Sequence, residues 1–165
     1  MTTTARLAMP LIQPGQAQKE LYHNEALLVA DAAVQASVAA VGLDAPPANP
    51  AAGACWIVGS APTGAWAGRA QALAAFTATG WRFVVPREGF AVWDAATRTV
   101  ARYVEGTWDR GGVRGNRLVI GGRQVVGPQG PAVADPTGGA TADPEARAAV
   151  AAILAVLRSH GLIAS

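Results

Sequence analysis

The chain has 165 residues, of which 51% are apolar and 15% charged, with a net charge of +2 and a single cysteine. That length suits one compact domain with an appendage and allows a substantial core. The composition excludes an internal disulfide, and the Arg residues are spread from Arg6 to Arg158 with no basic face of the kind that binds nucleic acid.

Residues 1–15 read as an extended arm, because Pro10 and Pro14-Gly15 interrupt any regular element. Its apolar residues Leu7, Met9, Leu11 and Ile12 need a surface to pack on, either a neighbour or the chain's own domain. Residues 16–35 read as a helix rich in good helix formers, with Leu21, Leu28 and Ala32 on one face. Asn24 is an alternative N-cap, with the main helix then starting at Glu25. A loop follows over residues 44–53, marked by Pro46, Pro47, Pro50 and Gly53.

From residue 54 to 126 the pattern changes to short β-branched and aromatic runs separated by glycine turns. Strands are expected near 54–58, 70–77, 81–86, 90–94, 99–105 and 117–126. Gly121-Gly122 has the spacing of a two-residue hairpin turn. All five tryptophans lie here, and they admit two readings. They are core and hairpin anchors, each burying a large area, or they line a sugar-binding surface, since an indole face stacks on the apolar face of a pyranose. Trp56 and Trp81 fit the first reading better. Trp66 and Trp108 sit in glycine-rich turns and read as more open. Trp66, Trp93 and Trp108 are therefore the candidate carbohydrate-binding residues. Cys55, beside Trp56-Ile57-Val58, reads as a small buried hydrophobe.

Residues 127–142 form a second linker with Pro128, Pro131 and Pro136. The final helix has the clearest local signals. Asp143 is an N-cap, Pro144 takes the first helical position, Glu145 suits the positive end of the dipole, and Gly161 ends the helix after Arg158. Ala146, Val150, Ile153 and Leu157 recur in a coiled-coil-like seam, and Ala149, Ala152, Leu154 and Val156 make the other faces apolar too. Such a helix needs cover from several sides, whether its own sheet or other subunits. Val150, Ile153, Leu154 and Leu157 are the candidate oligomer-interface residues. The longest apolar run, 148–157, falls well short of the ~18 residues of a membrane span, and the N-terminus lacks the pattern of a signal peptide.

The sequence carries no metal signature, nucleophile elbow or phosphate loop. His23 with Glu25 or Asp31 reads as a polar cluster on a helix surface, and no two of Glu88, Asp94, Glu105 and Asp109 stand out as a catalytic pair. No catalytic residue, metal ligand or cofactor is assigned, and the chain is expected not to be an enzyme. The expected fold is mainly β with flanking helices: a small antiparallel β-sandwich or barrel-like domain over 44–126, an arm and helix over 1–43, and a linker and C-terminal oligomerisation helix over 127–165.

Two stretches resemble known sequences. The first comprises Leu11-Ile12-Gln13-Pro14-Gly15-Gln16-Ala17-Gln18-Lys19-Glu20, His23-Asn24-Glu25-Ala26-Leu27, Pro46-Pro47, Trp56-Ile57-Val58-Gly59, Thr63-Gly64-Ala65-Trp66-Ala67-Gly68 and Gly80-Trp81-Arg82-Phe83. It resembles a family of unknown-function domains found in alphaproteobacterial phages and in gene transfer agents, the phage-derived particles that carry host DNA between cells. The second runs from Gly121-Gly122 through Val125-Val126-Gly127, Ala134-Asp135-Pro136 and Glu145-Ala146-Arg147 to His160-Gly161-Leu162-Ile163. It is similar to the C-terminal ends of phage fibre and tail proteins.

The resemblance implies a structural component of such a particle, serving as base or adaptor of a head spike or fibre that engages host surface polysaccharide. It implies assembly in the bacterial cytoplasm into a virion or phage-like particle. The implied partners are further copies of the chain, as trimer or pentamer, capsid or spike and fibre proteins, and host polysaccharide, with neither nucleic acid nor membrane. The low charge agrees with a surface partly hidden in an assembly. The alternatives are a carbohydrate-binding module that itself recognises the capsule, and a tail-fibre component.

Overall fold

The computed structural model describes residues 3–13, 19–139 and 143–164. It divides into two compact units, Met1–Gly112 and Val113–Ser165. The first unit therefore takes in the arm, the first helix and most of the strands. The hairpin around Gly121-Gly122 falls in the second unit with the terminal helix.

The first unit is a β-sandwich of two four-stranded mixed sheets. One has the order β1 (Ser37–Val38), β6 (Ala91–Asp94), β7 (Thr99–Val104), β8 (Thr107–Arg110). The other has the order β2 (Val41–Leu43), β3 (Cys55–Val58), β4 (Leu73–Thr77), β5 (Gly80–Val84). The sequence suggested antiparallel sheets, whereas both sheets are mixed. β1 runs parallel to β6 and β2 parallel to β3. The cause is one short segment that serves both sheets. Val38 pairs with Asp94, and three residues later Val41 pairs with Ile57. Ala39 N–H donates to Cys55 O at 2.8 Å, and Ile57 N–H to Ala40 O at 3.0 Å, so the crossing itself is bonded to β3.

The main core lies between the sheets. Cys55, Ile57, Leu73 and Ala75 from one meet Val38, Val92 and Ala101 from the other, with Ala32 and Ala36 beside them. A second cluster covers the opposite face of β3 and β4: Trp56, Val58, Ala74 and Trp66, with Phe76, Trp81 and Phe83 against them. Alternate residues of β3 thus enter different clusters, and all four are buried. The lid over the outer face is a single 3-10 turn, Gly64–Trp66, whose Trp66 is 0% exposed. Trp66 and Trp81 meet edge to face with centroids 5.2 Å apart, and Trp56 and Trp81 do so at 5.7 Å. Such pairs add about 0.5–1.5 kcal/mol each beyond the area they bury. Trp66 is hence an anchor of the sheet and offers no face to a sugar, contrary to the expectation from its turn.

Helix α1 (Lys19–Ala33) packs on β4 and β5, and Arg82 Nε pairs with Glu25 Oε1 at 2.5 Å. Within the described residues Asn24 lies inside the helix and caps nothing. Its side-chain amide donates to Ile12 O and accepts from Ile12 N–H, both at 2.9 Å, as a strand partner would. The arm is not simply extended, since Thr4 N–H donates to Met9 O at 2.9 Å around a turn. It packs on its own domain through buried Asp31, which accepts from Thr4 Oγ1 at 2.8 Å, Arg6 N–H at 3.0 Å and Leu7 N–H at 2.6 Å. The Arg6 guanidinium donates to the carbonyls of Asp31, Ala32, Val34 and Gln35. The last turn of α1 has no basic residue of its own. Arg6 supplies the positive charge that a helix C-terminus favours.

The second unit holds a hairpin, β9 (Leu118–Ile120) and β10 (Arg123–Val126), and helix α2 (Pro144–Ser159). Gly121 and Gly122, at φ 57° and 77°, form the expected two-residue turn. The ends of α2 also follow the sequence signals. Asp143 Oδ1 accepts from Ala146 N–H at 2.9 Å, and Gly161 takes φ 68° beyond the His160 cap. Residues 129–138 run along one side of α2. Arg147 donates to Pro136 O and Gly138 O, Arg158 pairs with Asp135 at 3.0 Å, and Leu154, buried, lies on the same face as both.

Cys55 supplies a test of the core. Burial pushes its thiol up from the ordinary value; Arg6 pulls the other way, and Asp31 adds to the rise. The folded chain therefore keeps this proton to higher pH than the unfolded chain. Stability is unaffected below the ordinary thiol value and falls as pH rises beyond it. The urea midpoint should drop more between neutral and strongly alkaline pH in the natural chain than in Cys55→Ala. Equal slopes in the two proteins would show that the thiol is not desolvated.

Candidate functional site

At one edge of the sandwich β2 and β3 face β8 across a cleft of about 300 Å³. Val41 and Ile57 form its apolar floor. Asp44, Ser60 and Gln71 come from the loops of one sheet, and Thr107, Trp108 and Arg110 from the edge strand of the other. The volume is at the small end of ligand sites.

Several local constraints shape this cleft. Asp44 is held by its loop: its Oδ1 accepts from Ala61 N–H at 2.9 Å, and its carbonyl accepts from Thr63 N–H at 2.8 Å. A Cβ on Gly59 would lie 2.1 Å from Asp44 Oδ1 and 2.8 Å from Gly42 O, so only glycine fits beside that carboxylate. Gln71 has φ 62°, an uncommon conformation for a residue with a side chain. Its carbonyl accepts from Trp108 Nε1–H at 3.0 Å, a bond from one sheet to the other. Phe90 and Tyr103 pack edge to face on the Trp108 indole, with centroids at 6.1 and 5.5 Å. The ring is thus fixed in place and orientation. Arg110 Nη2 stands 3.7 Å from Oδ2 of Asp94, a carboxylate with no exposure at all. The other Asp94 oxygen accepts from Ala96 N–H at 3.0 Å.

The three candidate tryptophans have separate fates. Trp66 is core. Trp93 is 46% exposed on β6, where it pairs with Val100. Trp108 alone lines the cleft. Of the proposed interface residues, Leu154 is 7% exposed and turned toward its own unit, so it is withdrawn from that role. Val150 and Ile153 are exposed, and Leu157 is half-buried. Ile153 and Leu157 line an apolar groove with Ala152 and Val156.

The carboxylates near His23 already have partners, Glu25 in Arg82 and Asp31 in the arm. Glu88 Oε2 accepts from Glu105 N–H at 3.0 Å. Among the described residues no group of three or more His, Cys, Asp or Glu could hold a metal ion, and no helix is long and apolar enough to cross a membrane.

Sequence reasoning passed over Asp44, Ser60, Gln71, Thr107 and Arg110. One signal was present for the last two. Glu105-Gly106 between Val104 and Thr107 is a two-residue turn, with φ 50° and 82°, and it implies a further strand carrying Trp108.

The family DUF2793, described as protein of unknown function, matches residues 23–109, just over half of the chain. The chain belongs to this family. The DUF2793 match runs from within α1 into β8, and so spans every residue of the cleft but Arg110. It stops before the second unit. No curated protein matches the chain.

Gly59→Ala should cost about 1–3 kcal/mol, the range for forcing atoms into a filled site, and should displace Asp44. Chemical denaturation would measure the loss. An unchanged midpoint would mean that the Asp44 loop moves freely and that the cleft is not preformed.

Proposed function

We propose that this protein is a non-enzymatic structural component of a phage-like particle, a gene transfer agent, in which it forms the base or adaptor of a head spike or fibre that engages host surface polysaccharide. In this reading the second unit joins copies of the chain, and the β-sandwich is the body that the assembly carries. The particle context rests on the resemblance of the N-terminal motif and the C-terminal stretch to phage and gene transfer agent sequences.

The observation that supports self-assembly is the surface of the second unit. Among its described residues Leu154 is the one buried large apolar side chain. Leu118, Val119, Ile120, Val125 and Val126 are all exposed on the hairpin, and Val150, Ile153 and Val156 on α2. A two-stranded ribbon is marginal in water by itself. Arg147, Leu154 and Arg158 spend one face of α2 on the chain's own linker. Val150, Ile153 and Leu157, at coiled-coil spacing, are left for something else to cover. Copies of the same unit offer matching apolar faces, and closed symmetry is the usual result of such pairing. A second reading, in which the chain itself recognises the polysaccharide, has its own support in the cleft.

Light scattering on the full chain should give a mass several times that of one 16.7 kDa copy. Ile153→Glu with Val156→Glu, both at exposed positions, should reduce it to one copy without loss of the sandwich's circular dichroism. A natural chain that stays a single copy at high concentration would sink the assembly reading.

A further inference from the structure

We infer that the cleft between β2–β3 and β8 is a binding site for a neutral pyranose sugar, with Trp108 as its stacking platform and Asp44, Ser60, Gln71, Thr107 and Arg110 as its polar wall. This rests on the second reading above and gives it a place in the fold. It does not depend on self-assembly.

The argument begins with Trp108. An indole is a useful platform when its orientation is already set, because binding then orders little. Here the N–H is bonded to Gln71 O at 3.0 Å, and Phe90 and Tyr103 hold the ring. The rest of the lining offers what a ring of hydroxyls requires. Asp44 accepts hydrogen bonds, the Arg110 guanidinium donates them in a planar fork, and Ser60, Gln71 and Thr107 can do both. Asp94, buried behind it, attracts the Arg110 guanidinium from 3.7 Å.

Charge decides the class of ligand. Arg110 is already paired with the buried Asp94, which leaves the Asp44 carboxylate, so the cleft does not favour a phosphate or a nucleic acid backbone, which gather basic groups without acidic ones. The lining is also too polar for a purely apolar ligand. A neutral, hydroxyl-rich ring with one C–H face satisfies both walls. The strained backbone of Gln71, whose carbonyl anchors the indole, is the kind of outlier that collects at binding sites.

Saturation-transfer NMR on the full chain, with a panel of free hexoses, N-acetylhexosamines and hexuronic acids at millimolar concentration, tests the proposal. Signal is expected from at least one neutral sugar. Ser60→Trp and Thr107→Trp each place a large side chain from opposite walls, at exposed positions, and each should weaken binding at least tenfold. The use of both keeps the test valid should one fail to fold. Trp93→Ala removes the exposed indole elsewhere on the sandwich and should leave binding unchanged. The proposal is overturned by no signal from any neutral sugar, by preference for the uronic acids alone, or by loss in Trp93→Ala with both blocking variants intact. Single-copy behaviour in light scattering would defeat the assembly reading and leave this result standing.

Discussion

Cys55, Trp56, Ile57 and Val58 have no face turned to water, and the first unit is arranged around satisfying both sides of that strand. Cys55 and Ile57 need the second sheet, which brings Val92 and Ala101 over them. Trp56 and Val58 need a cover outside the sandwich, which the Trp66 turn supplies. A central strand buried on both faces also needs a neighbour on each edge. β4 pairs on one side, and the short β2 pairs on the other. The segment that provides β2 provides β1 to the other sheet just before, so the same few residues close one edge of each layer. The cleft lies where the two sheets come together without a strand to seal them, between β2 and β8.

Much of this plan was legible in the sequence. β3, β4, β5, β6 and β7 all announced themselves through β-branched and aromatic runs between glycine turns, and α2 through Asp143, Pro144 and Gly161. Those signals are local, and local chemistry fixed those elements. What escaped was set by contacts between distant residues. Val38 and Val41 lie in runs too short to show a strand period, and they become strands because β6 and β3 leave open edges. Trp66 sits in a turn, where side chains usually meet solvent, and is buried because Trp56 and Trp81 wait on the sheet below. The unbroken apolar run of β3 calls for a second covering layer, and folding supplies it with Trp66, which the sequence left as an open turn residue. Asn24 and Asp31 look like ordinary helix polar residues. Their partners, Ile12 and the 4–7 turn, are more than ten residues away, and no local spacing announces the pairing.

The site was legible only in part, for the same reason. Trp108 could be named because its indole follows closely on the Glu105-Gly106 turn. Its cleft partners are common residues from four separate segments, and nothing but folding brings them together. The terminal unit shows the opposite case. Its surface chemistry was plain from the residues, since a helix apolar on nearly every side has to be covered. The structure adds which side is already taken, by Arg147, Leu154 and Arg158, and which is not.

The two-sheet segment at 37–43 also has a consequence for the order of folding. The pairings β4–β5, β6–β7 and β7–β8 join neighbours in sequence and close small loops, which form early and cheaply. Val38 with Asp94 closes a loop of more than fifty residues. Val41 with Ile57 closes a loop of only about sixteen, so the long-range half of the seam, β1 on β6, is the late step. Until β1 docks, β6 presents an unpaired edge that the same segment of another chain can occupy. A protein produced in many copies in a small space would have to complete this step quickly, or exchange the segment between copies.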